Sequence, residues 1–275
     1  MLRHCGNQEN SVKNSYEETS DGAHQNIARA THILDVLAAS GKNGLRLTDV
    51  VLATGLKKTV VHRALAGLTA HGLAIHDGAT SRFHLGDKLF AWVHKARDRF
   101  ALADRVRPFL ESLAADILDT VYFSVIRGDD AICYCRVEGS FPIRTLTLEV
   151  GSVRPLGVGS GSLALLAFQP VAVRERIIAE RAAERVRYDI DDAALRRNIT
   201  VTREKGYALH KGLFAEGMMG LGVPVYNTAG ISVGALSTAA ITARLEGPRL
   251  DEVAARMQTE ADAIRAGLAE LLDEI

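Results

Sequence analysis

The sequence predicts an α+β protein of two domains, and three observations lead to this prediction. Amphipathic helical segments and a short hairpin occupy the chain up to residue 86, whereas later helical and strand-like segments mix without strict alternation. At 275 residues the chain is long enough for two hydrophobic cores. Because the later strands and helices do not alternate, an antiparallel sheet is favoured there over a doubly wound parallel sheet.

The first 86 residues predict a polar tail followed by a winged helix-turn-helix. Residues 1–23 are polar, which predicts disorder, and they lack the apolar core of a signal peptide. In residues 24–86, apolar residues at helical spacing predict a first helix between Asn26, a candidate N-cap, and Gly41. Gly55 then separates a second helix from a third, as the turn of a helix-turn-helix does.

Local patterns predict how the next two helices bury their apolar residues. Thr48 is expected to cap the second helix, with Val51 and Leu52 facing inward. The third helix is expected from about Lys57 to His71. Its buried stripe is expected to consist of Val60, Val61, Ala64, Leu65 and Leu68.

The start of the third helix favours DNA binding. In a helix-turn-helix, the N-terminal residues of the second helix of the motif reach base edges. Basic and hydroxyl side chains share one face here, and Arg82 lies on the hairpin that turns at Gly78. Taken one at a time, each residue is equally well explained as a solvated position. Together, the predicted DNA-binding residues are Thr48, Lys57, Lys58, Thr59, His62, Arg63 and Arg82.

The distribution of charge supports this interpretation, although the net charge of the chain is zero. Residues 24–99 hold eleven Lys and Arg against five Asp and Glu, whereas residues 100–275 hold twenty against twenty-four. A basic segment joined to a mildly acidic one indicates a module that binds a polyanion, attached to a second domain.

Residues 87–101 predict a linker helix, and residues 102–275 predict the second domain. Its first helix, from Ala103 to Leu118, contains Pro108, which should lie near a helix start or kink the helix. Further helices are expected within 151–168, 171–185, 191–204 and 250–272, and strands at 120–127, 131–137, 143–150, 207–210, 218–225 and 231–239.

Composition and motifs argue against several classes of protein. No run approaches the roughly 18–20 apolar residues of a membrane span. Three cysteines are too few for a disulfide framework, so a cytoplasmic protein without membrane contact is expected. The stretch GVGSGSL lacks the Lys-Ser/Thr end of a P-loop, and neither Ser160 nor Ser162 forms a nucleophile elbow. We therefore expect neither an enzyme nor a cofactor, although a small-molecule enzyme with a basic accessory domain stays open as an alternative.

A second alternative is a metal- or redox-responsive regulator. Cys133 and Cys135 lie two apart on a predicted strand, so they should share a face, which would suit a redox or metal pair. His71, His76 and His84 match no strong ligand spacing. Buried cysteines and surface or packing histidines are the simpler interpretation, and no metal site is expected.

From about Asn26 to its C-terminus, the chain resembles the IclR family of bacterial transcription regulators. The matching stretches are IARATHILDVLAAS, RLTDVVLATGLKKTVVHRALAGLTAHGLA, FHLGDKLF, EVGSVRPLGVGSGSLALLAF, EKGYALHKG and MMGLGVPVYNTAGISVGALSTAA. The resemblance implies a winged-helix domain, a linker helix and a GAF-like effector domain with a curved antiparallel sheet. It also implies homodimers that can pair into homotetramers, and a repressor or activator whose binding to operator DNA responds to a small organic effector, such as a carboxylate or an aromatic catabolite.

The Gly-rich loop that precedes an apolar helix, residues 155–168, is the candidate effector site. Backbone N–H groups at such a helix start favour an anion. From the residues alone a tight turn before a helix is the simpler explanation, and the resemblance adds a pocket. It also implies ligand positions at His210 and Gly220, where some relatives carry an acidic residue and a thiol. The expected effector-binding residues are Leu146, Leu156, Gly159, Ser160, Gly161, Ser162, His210, Met218 and Gly220, with Leu148 and Met219 as further walls.

Overall fold

The computed structural model describes residues 22–96, 101–143 and 147–275. The chain separates into two compact units, the first ending at Arg97 and the second beginning at Asp98. Each unit has its own hydrophobic core, and each is therefore described by itself.

The first unit consists of three helices, a two-stranded hairpin and a fourth helix. Its elements are α1 (Gly22–Ala39), α2 (Leu47–Thr54), α3 (Lys58–Ala70), β1 (Ala74–Asp77), β2 (Arg82–Leu85) and α4 (Asp87–Lys95). Strands β1 and β2 pair antiparallel and form the wing. This arrangement confirms the predicted helix-turn-helix with a wing hairpin.

The core of the first unit is built from one face of each helix. Val61, Leu65 and Leu68 of α3 are buried and Ala64 packs against them, as predicted, whereas Val60 is partly buried outside this core. Burying a Val or Leu side chain contributes about 1.5–3 kcal/mol. The buried residues of this core are Ile33, Leu37, Val50, Val61, Leu65, Leu68 and Ala74.

Two predicted helix caps are wrong. Helix α1 begins at Gly22, so Asn26 lies inside the helix. At the start of α2, the backbone N–H of Arg46 donates to the Asp49 carboxylate at 2.9 Å, which closes the first turn. Thr48 therefore lies within that turn and does not cap the helix.

The buried face of α2 also differs from the prediction by one residue. Val50 is fully buried and Val51 is partly buried, but Leu52 is 86% exposed. Residues three and four apart share a helix face. The face that meets the core begins at Leu47 and continues through Val50 and Val51, which turns Leu52 toward solvent.

The predicted tail and linker helix are only partly described. Residues 1–21 lie outside the described residues, and residues 22–23 of the predicted tail belong to α1. Helix α4 ends at Lys95, and residues 97–100 of the predicted linker also lie outside the described residues.

The second unit is a six-stranded antiparallel sheet with helices on both faces. Its elements are α5 (Ala101–Ile117), β3 (Thr120–Arg127), β4 (Asp130–Val137), β5 (Val153–Pro155), α6 (Ser160–Ala167), α7 (Val171–Glu180), α8 (Ala182–Val186), α9 (Asp192–Lys205), β6 (Ala208–Lys211), β7 (Met218–Tyr226), β8 (Ser232–Ile241), α10 (Pro248–Gly267) and α11 (Ala269–Asp273). The strand order is β5-β4-β3-β8-β7-β6. This curled antiparallel sheet confirms the predicted α+β class.

Two apolar cores lie on the two sides of this sheet. One joins α5, α10 and α11 to the strands, and the other joins α6, α7 and α9 to them. Successive residues of a strand point to opposite faces. Strand β8 accordingly contributes Leu236 to the first core and Ala235 to the second.

One predicted strand of the second unit is wrong, and Pro108 does not lie near a helix start. The described residues of 143–150 form no strand, and the apolar residues Ile143 and Val150 at its two ends are exposed. The additional strand in this part of the chain is β5, at Val153–Pro155. Pro108 lies in the interior of α5, on its exposed face, where water can hydrogen-bond to the carbonyl that the proline leaves unpaired.

We predict that Gly222→Ala destabilises the second unit. A Cβ atom at Gly222 would lie 2.3 Å from the backbone oxygen of Ser160, so α6 would have to move away from β7. The free energy of unfolding, measured by urea titration with circular dichroism, should fall by roughly 1–3 kcal/mol. Gly67→Ala is the control, because its Cβ would meet nothing within 4 Å and alanine favours the helix by up to about 1 kcal/mol. Equal stability of the two variants would contradict the close packing of α6 on β7.

Candidate functional site

The exposed face of α3 carries most of the predicted DNA-binding residues. None of their side chains forms a hydrogen bond or ion pair with another residue that the structure describes, so their polar groups are open to an external ligand. The opposite face of the helix is anchored in the core. The exposed residues are Lys57, Lys58, Thr59, His62 and Arg63.

The other two predicted DNA-binding residues make local contacts. Thr48 is exposed in the first turn of α2, and its hydroxyl lies 3.4 Å from the Asp49 carboxylate. The guanidinium of Arg82 donates to the backbone oxygen of Gly44 at 2.9 Å. Arg82 is partly buried and ties the wing to the segment between α1 and α2.

Two of the three histidines singled out in the sequence make packing contacts. Among the described residues, no group of three His, Cys, Asp or Glu side chains is close enough to hold an ion. His76 packs against Phe83 with ring centroids 4.5 Å apart, and His84 lies against Gly44. His76 therefore packs within the wing, and His84 packs against the segment between α1 and α2.

Cys133 and Cys135 do not share a face of the sheet, contrary to the prediction. Between Phe123 and Ser124 of β3 the pairing shifts, so Phe123 is opposite Cys135 and Ser124 is opposite Cys133. This bulge adds one residue to β4 and reverses the side to which side chains point. Both thiols are buried, and burial raises the pKa of Cys133 to about 12, which keeps that thiol protonated at neutral pH.

A cavity in the second unit has roughly 650 Å³ of empty space, a volume that includes its opening to solvent. It lies between the N-terminal end of α6 and strands β3, β6, β7 and β8. Its lining combines hydroxyl groups, one arginine, one histidine and an apolar wall. The lining residues are Tyr122, Ser124, Ala131, Thr147, Leu148, Arg154, Val158, Gly159, Ser160, Gly161, Ser162, His210, Leu213, Phe214, Met218, Met219, Gly220, Ser237, Thr238 and Ala239.

Most of the expected effector-binding residues line this cavity. The exceptions are Leu156, which is fully buried in the core beneath α6, and Leu146, which lies outside the described residues. The chain turns at Pro155, where β5 ends, and Leu156 enters the core. The predicted residues that line the cavity are Gly159, Ser160, Gly161, Ser162, His210, Met218 and Gly220, joined by Leu148 and Met219.

The start of α6 presents unpaired donors to the cavity. Gly159 precedes the helix with φ of 89°, a backbone conformation that favours glycine. The first N–H groups of a helix have no acceptor within the helix, and here they belong to residues that line the cavity. The Ser162 hydroxyl donates to the Val158 and Gly159 oxygens, so of the two serines predicted here Ser160 is the one whose hydroxyl is unengaged.

His210 is neutral and has one unpaired nitrogen. Its ring N–H bonds to the backbone oxygen of Gly157, and the Nε2 atom is buried without a hydrogen-bond partner. Burial lowers the pKa of His210 to about 4. A neutral imidazole that donates through Nδ1 presents Nε2 as an acceptor.

Arg154 lies in the cavity and was not among the expected site residues. It is partly buried, its guanidinium lies 3.8 Å from the ring centroid of Phe214, and it donates to the backbone oxygen of Thr147. Burial lowers the pKa of this guanidinium. The signal for this residue in the sequence was a single arginine within the apolar stretch SVRPLGV. The direction in which its side chain points depends on the turn after β5.

Comparison with known proteins assigns both units to one family. Residues 26–78 match the model of the IclR helix-turn-helix domain, and residues 94–266 match the model of the bacterial transcriptional regulator IclR C-terminal domain. The chain belongs to the IclR family. The second match alone covers more than half of the chain.

Individual members of the IclR family align with nearly the whole chain. The transcriptional regulator BhcR of Paracoccus denitrificans is 28% identical over 246 residues, which cover 88% of this chain and 87% of that protein. The crystal structure of the Thermotoga maritima IclR aligns with a TM-score of 0.71 at 19% identity, covering 89% of this chain and 99% of that one. An IclR homolog from Microbacterium hydrocarbonoxydans, complexed with 4-hydroxybenzoate, aligns with a TM-score of 0.67 at 19% identity, covering 88% of this chain and 98% of that one.

Membership of the IclR family defines the function in general terms. The protein is a DNA-binding transcriptional regulator with a C-terminal effector-binding domain, and the family is one of regulators and not of enzymes. No helix that the structure describes has the length and apolar character needed to cross a membrane.

We predict that acid destabilises this IclR-family protein through His210. Its pKa is about 4 in the folded chain, below the usual 6.5, so the unfolded chain binds the proton more readily between these values. The stabilising contribution is complete above pH 6.5 and is lost as the pH falls toward 4, reaching roughly 2 kcal/mol of loss at pH 5.

Urea titrations at pH 7 and pH 5 test this prediction. His210→Gln should lose less stability between the two pH values than the wild type does. His94→Gln, on the exposed side of α4, is the control and should keep the wild-type difference. The same loss in all three proteins would show that His210 is not the group responsible.

Proposed function

We propose that a small organic effector, a carboxylate or an aromatic catabolite, binds in the cavity of the second unit and modulates operator binding by the first. The observation that carries this proposal is the cavity itself. It brings unpaired helix N–H groups, a cationic side chain and an unpaired acceptor together beside an apolar wall. Few precisely placed polar groups in an otherwise apolar concavity are typical of small-molecule sites.

A related structure supports the chemical class of the effector. The IclR homolog from Microbacterium hydrocarbonoxydans was crystallised with 4-hydroxybenzoate, an aromatic carboxylate. The N-terminal end of α6 suits a carboxylate, because helix N–H groups and the helix dipole favour a negative charge. The apolar wall, including Met218 and Leu148, suits an aromatic or aliphatic body.

We further propose that the exposed face of α3 reads the operator. Lys57, Lys58, Thr59, His62 and Arg63 would enter the major groove, because residues at the start of a recognition helix reach base edges. Thr48 and Arg82 would contact the DNA backbone from either side. A homodimer, able to pair into a tetramer, would then bind near-palindromic half-sites at a spacing set by its geometry.

We predict that Lys58→Ala combined with Arg63→Ala abolishes specific operator binding. Both side chains are exposed and free of internal partners, so removing them costs contacts with DNA and no folding energy. Affinity for the upstream intergenic DNA should fall by roughly 100-fold or more, to the level of unrelated DNA. Fluorescence anisotropy at one fixed salt concentration measures this change.

The matched control removes two positive charges from a surface of the second unit. Arg196→Ala combined with Arg197→Ala lies on the exposed face of α9 in the second unit and should leave operator affinity within about twofold. Unchanged affinity in the α3 variant would refute the placement of the reading helix. Wild-type protein that shows no preference for the intergenic DNA would argue against an operator there.

We predict that a compound that stabilises the second unit also changes operator affinity. A thermal-shift screen of small carboxylates and aromatic acids identifies binders, because a ligand at 100 times its Kd stabilises the protein by about 2.7 kcal/mol. Coupling between sites typically changes affinity by roughly 5-fold to 150-fold. A tight ligand of the cavity that leaves operator affinity unchanged would contradict the regulatory proposal.

A further inference from the structure

The cavity contains a positive charge that the described part of the chain does not neutralise. The contacts of the Arg154 guanidinium are the ring face of Phe214 and the backbone oxygen of Thr147, and no described carboxylate pairs with it. A carbonyl oxygen satisfies one of its N–H groups but supplies no negative charge. Charged side chains withdrawn from water are normally paired, because an unpaired one carries the full cost of desolvation.

Two other arginines of the second unit that are withdrawn from water have a carboxylate partner. Arg185 is fully buried and lies 2.6 Å from the Asp192 carboxylate, and Arg244 lies 2.9 Å from that of Asp119. Arg154 differs from both, and none of the residues that line its cavity is an Asp or a Glu. Arg127 and Arg174, also partly buried, donate only to neutral oxygens among the described residues, but neither lines this cavity. A negative group on a molecule that enters the cavity would therefore meet an arginine without a described carboxylate partner.

Phe214 and Thr147 hold the guanidinium in a defined orientation. The Phe214 ring lies against the guanidinium, and the Thr147 oxygen accepts a hydrogen bond from one of its N–H groups. An arginine presented in this way binds a carboxylate with two parallel hydrogen bonds, a geometry that a lysine cannot reproduce.

His210 is a second polar group of defined orientation, and it accepts a hydrogen bond where Arg154 donates. Because its Nδ1 hydrogen is used by the Gly157 oxygen, its buried Nε2 atom can only accept a hydrogen bond. No described residue donates to it. The neutral ring cannot serve as a partner for an anion, so it selects a hydroxyl or N–H group on the bound molecule.

Arg154 and His210 lie at different places around the same cavity. A Cβ atom at Gly159 would lie 3.2 Å from a guanidinium nitrogen of Arg154, whereas His210 lies opposite Gly220 in the pairing of β6 with β7. A Cβ atom at Gly220 would lie 2.9 Å from the Ser160 hydroxyl, so this glycine keeps the space beside His210 open. Met218, Met219 and Leu148 add apolar surface to the same cavity.

We propose that the cavity selects a hydroxycarboxylate: its carboxylate pairs with Arg154, its hydroxyl donates to Nε2 of His210, and its apolar body contacts the methionines. This inference rests on the proposed function, since it names the chemistry of the effector. It assigns the anion to Arg154 and leaves the N-terminal end of α6 as a secondary contact. Arg154 and His210 are accordingly the residues that determine specificity.

The first test uses the full-length wild-type protein and matched sets of three compounds. Each set holds a hydroxycarboxylate, the same acid without its hydroxyl, and the neutral amide: 4-hydroxybenzoate, benzoate and 4-hydroxybenzamide; mandelate, phenylacetate and mandelamide; 3-hydroxybutyrate, butyrate and 3-hydroxybutyramide. In at least one set, calorimetry should show that losing either the hydroxyl or the charge weakens binding by roughly 10-fold to 100-fold.

The second test assigns each preference to its residue. Arg154→Met should remove the preference for the acid over the amide, and Arg154→Lys should restore only part of it. His210→Phe should remove the preference for the hydroxyl while keeping the preference for the charge. Arg197→Met, an exposed arginine on α9, is the matched control and should preserve both preferences. Circular dichroism and operator affinity without ligand confirm that each variant is folded.

The outcomes separate this inference from the proposed function. If none of the nine compounds binds, or if the amides bind as tightly as the acids, the hydroxycarboxylate assignment is overturned. The same holds if Arg154→Met binds all compounds as the wild type does. In each of these cases the proposed function is kept if another compound binds the second unit and alters operator affinity. It is rejected if no compound that binds the second unit alters operator affinity.

Discussion

The approach of α6 to the backbone of β7 is the constraint on which the ligand cavity depends. A Cβ atom at Gly222 would lie 2.3 Å from the Ser160 oxygen, and one at Gly161 would lie 3.0 Å from the Ser237 hydroxyl. The helix can therefore meet the sheet at this point only because these positions lack side chains. This close contact brings the free N–H groups of the helix start against the strands that carry His210 and Gly220.

The same contact explains why polar groups collect on one side of the sheet. Residues of α6 after its first turn are fully buried in an apolar core, so that core cannot accommodate Arg154 or the imidazole of His210. Both are confined to the space beside the helix start, where one finds a stacking partner and the other a backbone acceptor. The cavity thus combines a charged and a polar side chain beside an apolar core, which makes it suitable for an effector.

The first unit has its own core, and this core positions α3. Val61, Leu65 and Leu68 fix α3, and the opposite face of that helix is left with basic and hydroxyl groups that have no internal partners. A rigid helix with unengaged cations is suited to a polyanion, because phosphate contacts position a protein on DNA and base contacts give specificity. The Arg82 contact with Gly44 holds the wing against the segment between α1 and α2.

The amino-acid sequence by itself determined the elements whose signals are local. Helical spacing identified the buried face of α3, strand-like runs identified five of the six strands of the second unit, and the glycine-rich loop led to most of the cavity lining. Only the tertiary structure decided features that depend on distant contacts. The bulge that separates Cys133 from Cys135 arises from pairing with β3, and the direction of Arg154 arises from packing against Phe214. Periodicity records which side of an element is apolar, but it carries no information on which distant group will face a polar side chain.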